Sequence, residues 1–184
     1  VLSLTGAGGR RIQSTIAKQL ALYVVIYSPI QMAADLPENY AKFPKPFQFI
    51  REVPVDWSDT RVLNGEVGDY VTIARKDRNG DDWYLGSITD EQPRSLRVRF
   101  DFLDPGRRYW ATIYSDGKDA GFAGDPKSVS ITTRPISSLD TMELKLAPGG
   151  GLAMRISTRN PAVPGSAPKP KPKRPKATPE FDVE

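Results

Sequence analysis

The chain has 184 residues, with 26 Lys+Arg against 22 Asp+Glu for a formal net charge of +4, 17 Pro, 15 Gly, no Cys and no His. The two absences exclude disulfides, thiol nucleophiles, iron–sulfur clusters, Cys/His zinc sites and any Ser-His-Asp triad, so chemistry here must run on carboxylates, Lys, Tyr or hydroxyls. The charge excess sits at the end: residues 159–184 hold six basic and three acidic side chains, leaving 20 basic and 19 acidic before them, and a body so near neutrality has no basic face for nucleic acid.

The first residue is Val1, not Met, which is what a segment of a longer protein shows. Val1-Leu-Ser-Leu-Thr-Gly6-Ala-Gly8-Gly9 looks like the strand, glycine turn and helix start of a dinucleotide phosphate loop. The third glycine of that pattern falls where Arg11 stands, and the nearest following acid is Asp35. An inter-element loop is the expected reading. From residue 10, Ile12, Ile16, Leu20, Val24 and Tyr27 recur at steps of four and then three, one face of a helix that Pro29 ends. Its longest apolar run, residues 20–27, is far shorter than the roughly twenty residues of a membrane span. Residues 30–34 read as a short buried strand, closed by the turn formers Asp35, Pro37 and Asn39. Past Pro44 and Pro46, residues 47–52 read as a second helix, so this region has the helix–strand–helix order of an α/β protein.

From residue 70 the pattern changes. Segments 70–75, 83–89, 95–100, 109–114, 129–133, 142–146 and 152–157 are short, rich in β-branched and aromatic residues, and separated by turn formers. Asn79-Gly80 marks a hairpin; Asp104-Pro-Gly106 and Asp116-Gly117 supply further turns. Leu96/Val98/Phe100 and Met142/Leu144/Leu146 alternate, giving one buried and one wet face. Seven such segments predict an antiparallel sandwich. Beyond residue 159 the Pro-Lys alternation predicts an extended, disordered spacer.

Candidate chemistry is thin. Asp77-Arg-Asn-Gly-Asp81-Asp82 echoes a calcium loop, but the glycine and closing Glu positions hold Asp82 and Ile88, so a hairpin turn is expected. Asp56/Asp59, Asp81/Asp82 and Asp90/Glu91 are carboxylate pairs in turn-like segments, where Asp caps backbone N–H groups. Asp35 and Glu38 are the pair worth keeping, since they follow the apolar stretch at residues 30–34; were that a barrel strand, they would face an active-site mouth. Trp83, Tyr84, Tyr109 and Trp110 offer either core packing or a sugar-stacking platform, the latter implying a stand-alone carbohydrate-binding sandwich.

The stretch from Ala17 through Ser28-Pro-Ile-Gln-Met-Ala-Ala-Asp-Leu-Pro-Glu-Asn-Tyr40 resembles the end of the catalytic barrel in glycoside hydrolase family 97. Phe49–Thr60, Gly68–Arg75, Asp82-Trp-Tyr-Leu-Gly86, Phe102-Leu-Asp-Pro-Gly106 and Leu146-Ala-Pro-Gly-Gly-Gly151 resemble that family's C-terminal β domain in the same order. The resemblance implies an α+β fragment: the last helix–strand–helix of a (β/α)8 barrel over residues 1–55, an all-β antiparallel sandwich over 56–158, and the disordered Pro/Lys tail over 159–184. It implies a parent α-glucosidase or α-galactosidase, active on oligosaccharides outside the cytoplasm and assisted by calcium. The catalytic and calcium-binding carboxylates of the family fall on earlier barrel strands, so this segment is expected to be inactive alone, to bind no metal, and to contribute structure and homo-oligomer contacts. Gln31 and Asp35 are the substrate-side candidates, near the barrel mouth.

Overall fold

The computed structural model describes residues 2–161, so the expected tail lies outside the described residues from position 162 onward. Three helices, α1 (Ile16–Val25), α2 (Pro37–Ala41) and α3 (Pro44–Glu52), precede eight strands. The strands are β1 (Trp57–Glu66), β2 (Tyr70–Asp77), β3 (Trp83–Thr89), β4 (Arg94–Arg99), β5 (Tyr109–Asp116), β6 (Val129–Ile136), β7 (Thr141–Leu146) and β8 (Gly151–Ser157). Six form one antiparallel sheet, ordered β1-β2-β3-β8-β5-β6, while β4 and β7 pair as a second sheet. All seven segments read from the sequence are strands; β1 is an eighth.

Alternation along β3 explains the layering. Trp83 and Leu85 point into a core with Val98, Phe100, Leu144 and Met154, between the two sheets. Tyr84 points the other way, into a second core with Leu20, Val24 and Phe49 of the helices. Strands β3 and β8 are therefore buried on both faces, and their sequences are apolar nearly throughout. The small sheet keeps one wet face, as the alternation in β4 and β7 requires. The sandwich thus carries a third, helical layer on the outer face of its large sheet.

Helix α1 starts at Ile16, later than the stripe beginning at Ile12 suggested, because the Thr15 side chain caps it by accepting from the Lys18 N–H at 3.2 Å. Upstream, Thr5 bridges Arg11 and the Ile12 N–H donates to the Leu4 carbonyl, so the glycine-rich run is a loop. Leu2 and Leu4 anchor it in the helical core. Close approach of α1 to the sheet needs two glycines. A Cβ on Gly86 would stand 2.6 Å from the Ala21 carbonyl oxygen, and one on Gly151 would stand 2.7 Å from the Lys18 Cα.

The strand expected at residues 30–34 is not formed; the segment has no regular secondary structure. Ile30 and Met32 are 75% and 77% exposed. A barrel strand needs a neighbour on each edge to satisfy its N–H and C=O groups, and among the described residues no strand lies beside this one. The turn formers after it open α2, with a proline in its first turn. The second helix of the sequence reading is α3, begun by Pro44. Among the described residues no helix is long and apolar enough to cross a membrane.

Candidate functional site

Asp35 lies between the irregular segment and α2. One carboxylate oxygen accepts from the Ser3 N–H at 2.9 Å; the other accepts from the Leu36 N–H at 2.9 Å and the Asn39 amide at 2.7 Å. Desolvation pushes its carboxyl up, but the bonds from Ser3, Asn39 and Leu36 outweigh that and hold it at about 2. So firmly ionised a group is no proton donor near neutrality. It clips the N-terminal loop to α2 and lines an open pocket of about 770 Å³ with Thr5, Lys42, Phe43 and Lys127. Lys127 comes from the β5–β6 loop, its ammonium 6.0 Å from the Phe43 ring centroid. Glu38 is exposed in the first turn of α2, where negative charge suits the helix dipole.

Gln31 donates to the Ile26 carbonyl at 3.1 Å and the Tyr23 carbonyl at 3.5 Å, closing the C-terminus of α1. The Tyr23 hydroxyl in turn donates to the Met32 carbonyl at 3.1 Å. Gln31 and Asp35 therefore pin the two ends of one segment to the helices beside it.

The paired acids of the turns are largely tied to cations. Asp56 pairs with Arg78, Asp59 with Arg61, Asp81 with Arg107, and Asp90 with Arg94. In the hairpin that echoed a calcium loop, Asp77 accepts from the Asn79 N–H and Asp82 pairs with Arg155. Among the described residues no three His, Cys, Asp or Glu side chains gather where a metal ion could be held. The aromatic platform is not presented either. Trp83, Tyr84 and Tyr109 are buried, and the stacking reading gives way to core packing because β3 has a layer on each face.

Two polar centres were not singled out from the sequence. Arg155, in the middle of β8, donates to Glu52 of α3 at 2.9 Å and to Asp82 at 2.7 Å; the Arg155 and Glu52 side chains are only 13% and 14% exposed. Burial alone would lower the guanidinium pKa, but Tyr84, Asp82 and Glu52 around it raise it on balance. The one signal was a lone Arg inside an apolar strand. Asp116 accepts from the Ala147 and Gly151 N–H groups, both at 2.9 Å, and burial raises its carboxyl pKa despite those bonds. A Cβ on Gly150 would overlap that carboxylate, so the Gly149-Gly150-Gly151 run is shaped around it. Both centres hold layers together rather than face a pocket.

Comparison with known proteins places these features. A family model described as "Glycosyl-hydrolase 97 C-terminal, oligomerisation" matches residues 56–157. The chain is 42% identical to a retaining alpha-galactosidase of Bacteroides thetaiotaomicron over 144 residues, 78% of this chain and 21% of that protein. A probable retaining alpha-galactosidase of Streptomyces bingchenggensis is 29% identical over 138 residues, 74% of this chain and 20% of that one. The solved structure of a family 97 enzyme from Pseudoalteromonas sp. strain K8, in complex with panose, superposes with a TM-score of 0.81 at 49% identity, covering 85% of this chain and 25% of that one. The chain spans about a fifth of the length of the curated relatives it matches. With the family model covering more than half of its residues, this chain belongs to glycoside hydrolase family 97 and contains that family's C-terminal β domain.

Proposed function

We propose that the chain is the C-terminal part of an enzyme that hydrolyses terminal α-glycosidic bonds. Residues 1–55 would close the end of its (β/α)8 barrel, residues 56–158 would form the β domain, and residues 159–184 would extend from it as a spacer. The observation that carries this reading is the shared core. Leu20, Val24 and Phe49 of the helices pack with Tyr84, Tyr114 and Ala153 of the sheet, while Ile30, Met32 and Leu36 are large, apolar and uncovered. A layer finished on the sheet side and unfinished on the other fits the last turn of a barrel braced by its β domain.

Within this reading Gln31 and Asp35 shape the substrate-side rim, holding segment 31–35 in place rather than reacting. The catalytic carboxylates belong to the upstream part. Calcium would be held there too, as the family resemblance implies. The names of both curated relatives favour an α-galactoside as substrate. The family model's description favours self-association through residues 56–157, and export to the periplasm or medium rests on the family resemblance alone.

The test is hydrolysis of 4-nitrophenyl α-galactoside and α-glucoside, with calcium and with a chelator. The 184-residue chain is expected to cleave neither, and the polypeptide carrying its upstream part is expected to cleave at least one. Failure of that longer polypeptide on both substrates removes the enzymatic reading.

A further inference from the structure

Two Asn-Gly pairs stand in the chain, Asn64-Gly65 and Asn79-Gly80. Asparagine followed by glycine is chemically labile. Once base removes the glycine N–H proton, no Cβ hinders that nitrogen from reaching the asparagine Cγ and closing a five-membered ring. Closure requires rotation about the asparagine Cα–C bond, so the backbone around each pair decides which one reacts.

The fold treats the two oppositely. Asn64 and Gly65 lie in the β1–β2 ladder opposite Thr72 and Val71, and the Asn64 amide donates to the Arg97 carbonyl of β4 at 3.3 Å. Asn79 and Gly80 are exposed in the turn between β2 and β3. Their neighbours are pinned. The Asp77 N–H donates to the Asp82 carbonyl at 2.9 Å, Arg78 donates to Asp56 and to the Trp57 carbonyl, Asp81 pairs with Arg107, and Asp82 pairs with Arg155. The Asn79 N–H donates to the Asp77 carboxylate at 3.0 Å. Among the described residues, neither the Asn79 side-chain amide nor the Gly80 N–H has a hydrogen-bond partner.

Neither Asn79 nor Gly80 has left-handed backbone, so the pair is not locked into a tight two-residue hairpin turn. Position 80 does not require glycine either: a Cβ there would stand 3.4 Å from its nearest neighbour, Asp77 Oδ2. The other asparagines do not compete. Asn39 bonds to Asp35 and Lys42 and precedes the bulky Tyr40, while Asn160 precedes Pro161, whose nitrogen carries no hydrogen.

We propose that Asn79 is a site of spontaneous conversion to aspartate and isoaspartate, with water as the co-reactant. The deprotonated Gly80 nitrogen forms a bond to Asn79 Cγ, and the side-chain nitrogen leaves as ammonia. Water then opens the ring. Breaking the bond from nitrogen to Cγ leaves an ordinary aspartate; breaking the bond to the former main-chain carbonyl leaves an isoaspartyl link, with one more carbon in the main chain. Either product adds negative charge beside Asp77, Asp81 and Asp82. The isoaspartyl form also lengthens the turn that presents Asp82 to Arg155, the contact tying this turn to α3.

The 184-residue chain is aged in mildly alkaline buffer, folded and in urea, then cut with pepsin at low pH, where ring closure stops. Peptide masses read the amide-to-acid gain, and isoaspartyl methyltransferase labelling reads the isoaspartyl fraction. In the folded chain Asn79 should convert while Asn64 stays an amide; in urea both should convert. Gly80→Ala should lose most of the conversion at Asn79, with the thermal melt unchanged because the new Cβ has room. An Asn79 that stays an amide in the folded chain overturns the proposal. Equal conversion of Asn64 and Asn79 in the folded chain overturns it as well, since the fold would then be selecting neither.

Discussion

The β domain and the helical segment before it meet in one core, yet they solve the burial problem differently. Residues 57–157 satisfy their backbone within two sheets and place apolar side chains between them, with Tyr84, Tyr114 and Ala153 on the outer face left for the helices to cover. The helical segment is complete on one side only: α1 and α3 bury Leu20, Val24 and Phe49 on the sheet, while Ile30, Met32 and Leu36 face outward. Such a cluster of exposed apolar side chains is the kind of surface that another packed layer covers.

Arg155 of β8 is the buried cation that joins α3 to the β2–β3 turn. Arg155→Ala leaves Glu52 and Asp82 buried without their shared partner and should destabilise the chain by about 3 kcal/mol or more, read from urea unfolding. A loss under about 0.5 kcal/mol would mean that packing alone attaches the helical layer. Gly86→Ala acts on the same junction by crowding the Ala21 carbonyl and should cost about 2 kcal/mol. Hydrogen exchange should show α1 amides losing protection while those between β5 and β6 keep theirs; uniform loss would show the two regions unfolding as one.

A smaller effect is expected at low pH. The folded Asp35 carboxyl titrates at about 2, below its ordinary value near 4. Its contribution is therefore present above about pH 4 and disappears as the pH falls through 2, amounting to about 1 kcal/mol after discounting for solvent screening. Acid titration followed by NMR of Ser3 and Asn39 should show the clip releasing in that window, and Asp35→Asn should erase the step. Smallest is Ile30→Ser/Met32→Ser, which should move stability by less than about 0.5 kcal/mol while raising solubility.

Legibility followed the same divide. Strands β2 to β5, β7 and β8 and the stripe of α1 could be read because each has a buried face whose period is fixed by its own geometry, while β6, an edge strand with only Ile136 fully buried, was read from the β-branched run Val129-Ser-Ile-Thr-Thr133. Strand β1 could not: Trp57-Ser-Asp-Thr-Arg-Val-Leu-Asn-Gly-Glu66 is an edge strand whose only fully buried side chain is Trp57, so hydrogen bonding to β2 makes the strand with little help from side-chain pattern. Residues 30–34 failed in the opposite sense. Their apolar content was visible, but a strand depends on partners that local sequence cannot supply. At the candidate site, Asp35 was found by position and its clipping role was not, because the N–H of Ser3 arrives from 32 residues away. Arg155 was missed for the same reason: its acids come from α3 and the β2–β3 turn.

Strand β8 is last in sequence but central in the large sheet, between β3 and β5, and α1 rests on both β3 and β8. On the ribosome the early hairpins β1–β2–β3 can form as they emerge, but they wait as a half-sheet, with the bare flank of β3 unpaired, until residues 151–157 arrive. The helix preceding them waits too, since half of its floor is made last. A polypeptide stopped before Gly151 would therefore hold two orphaned half-sheets, β1–β2–β3 and β5–β6, and an undocked helix.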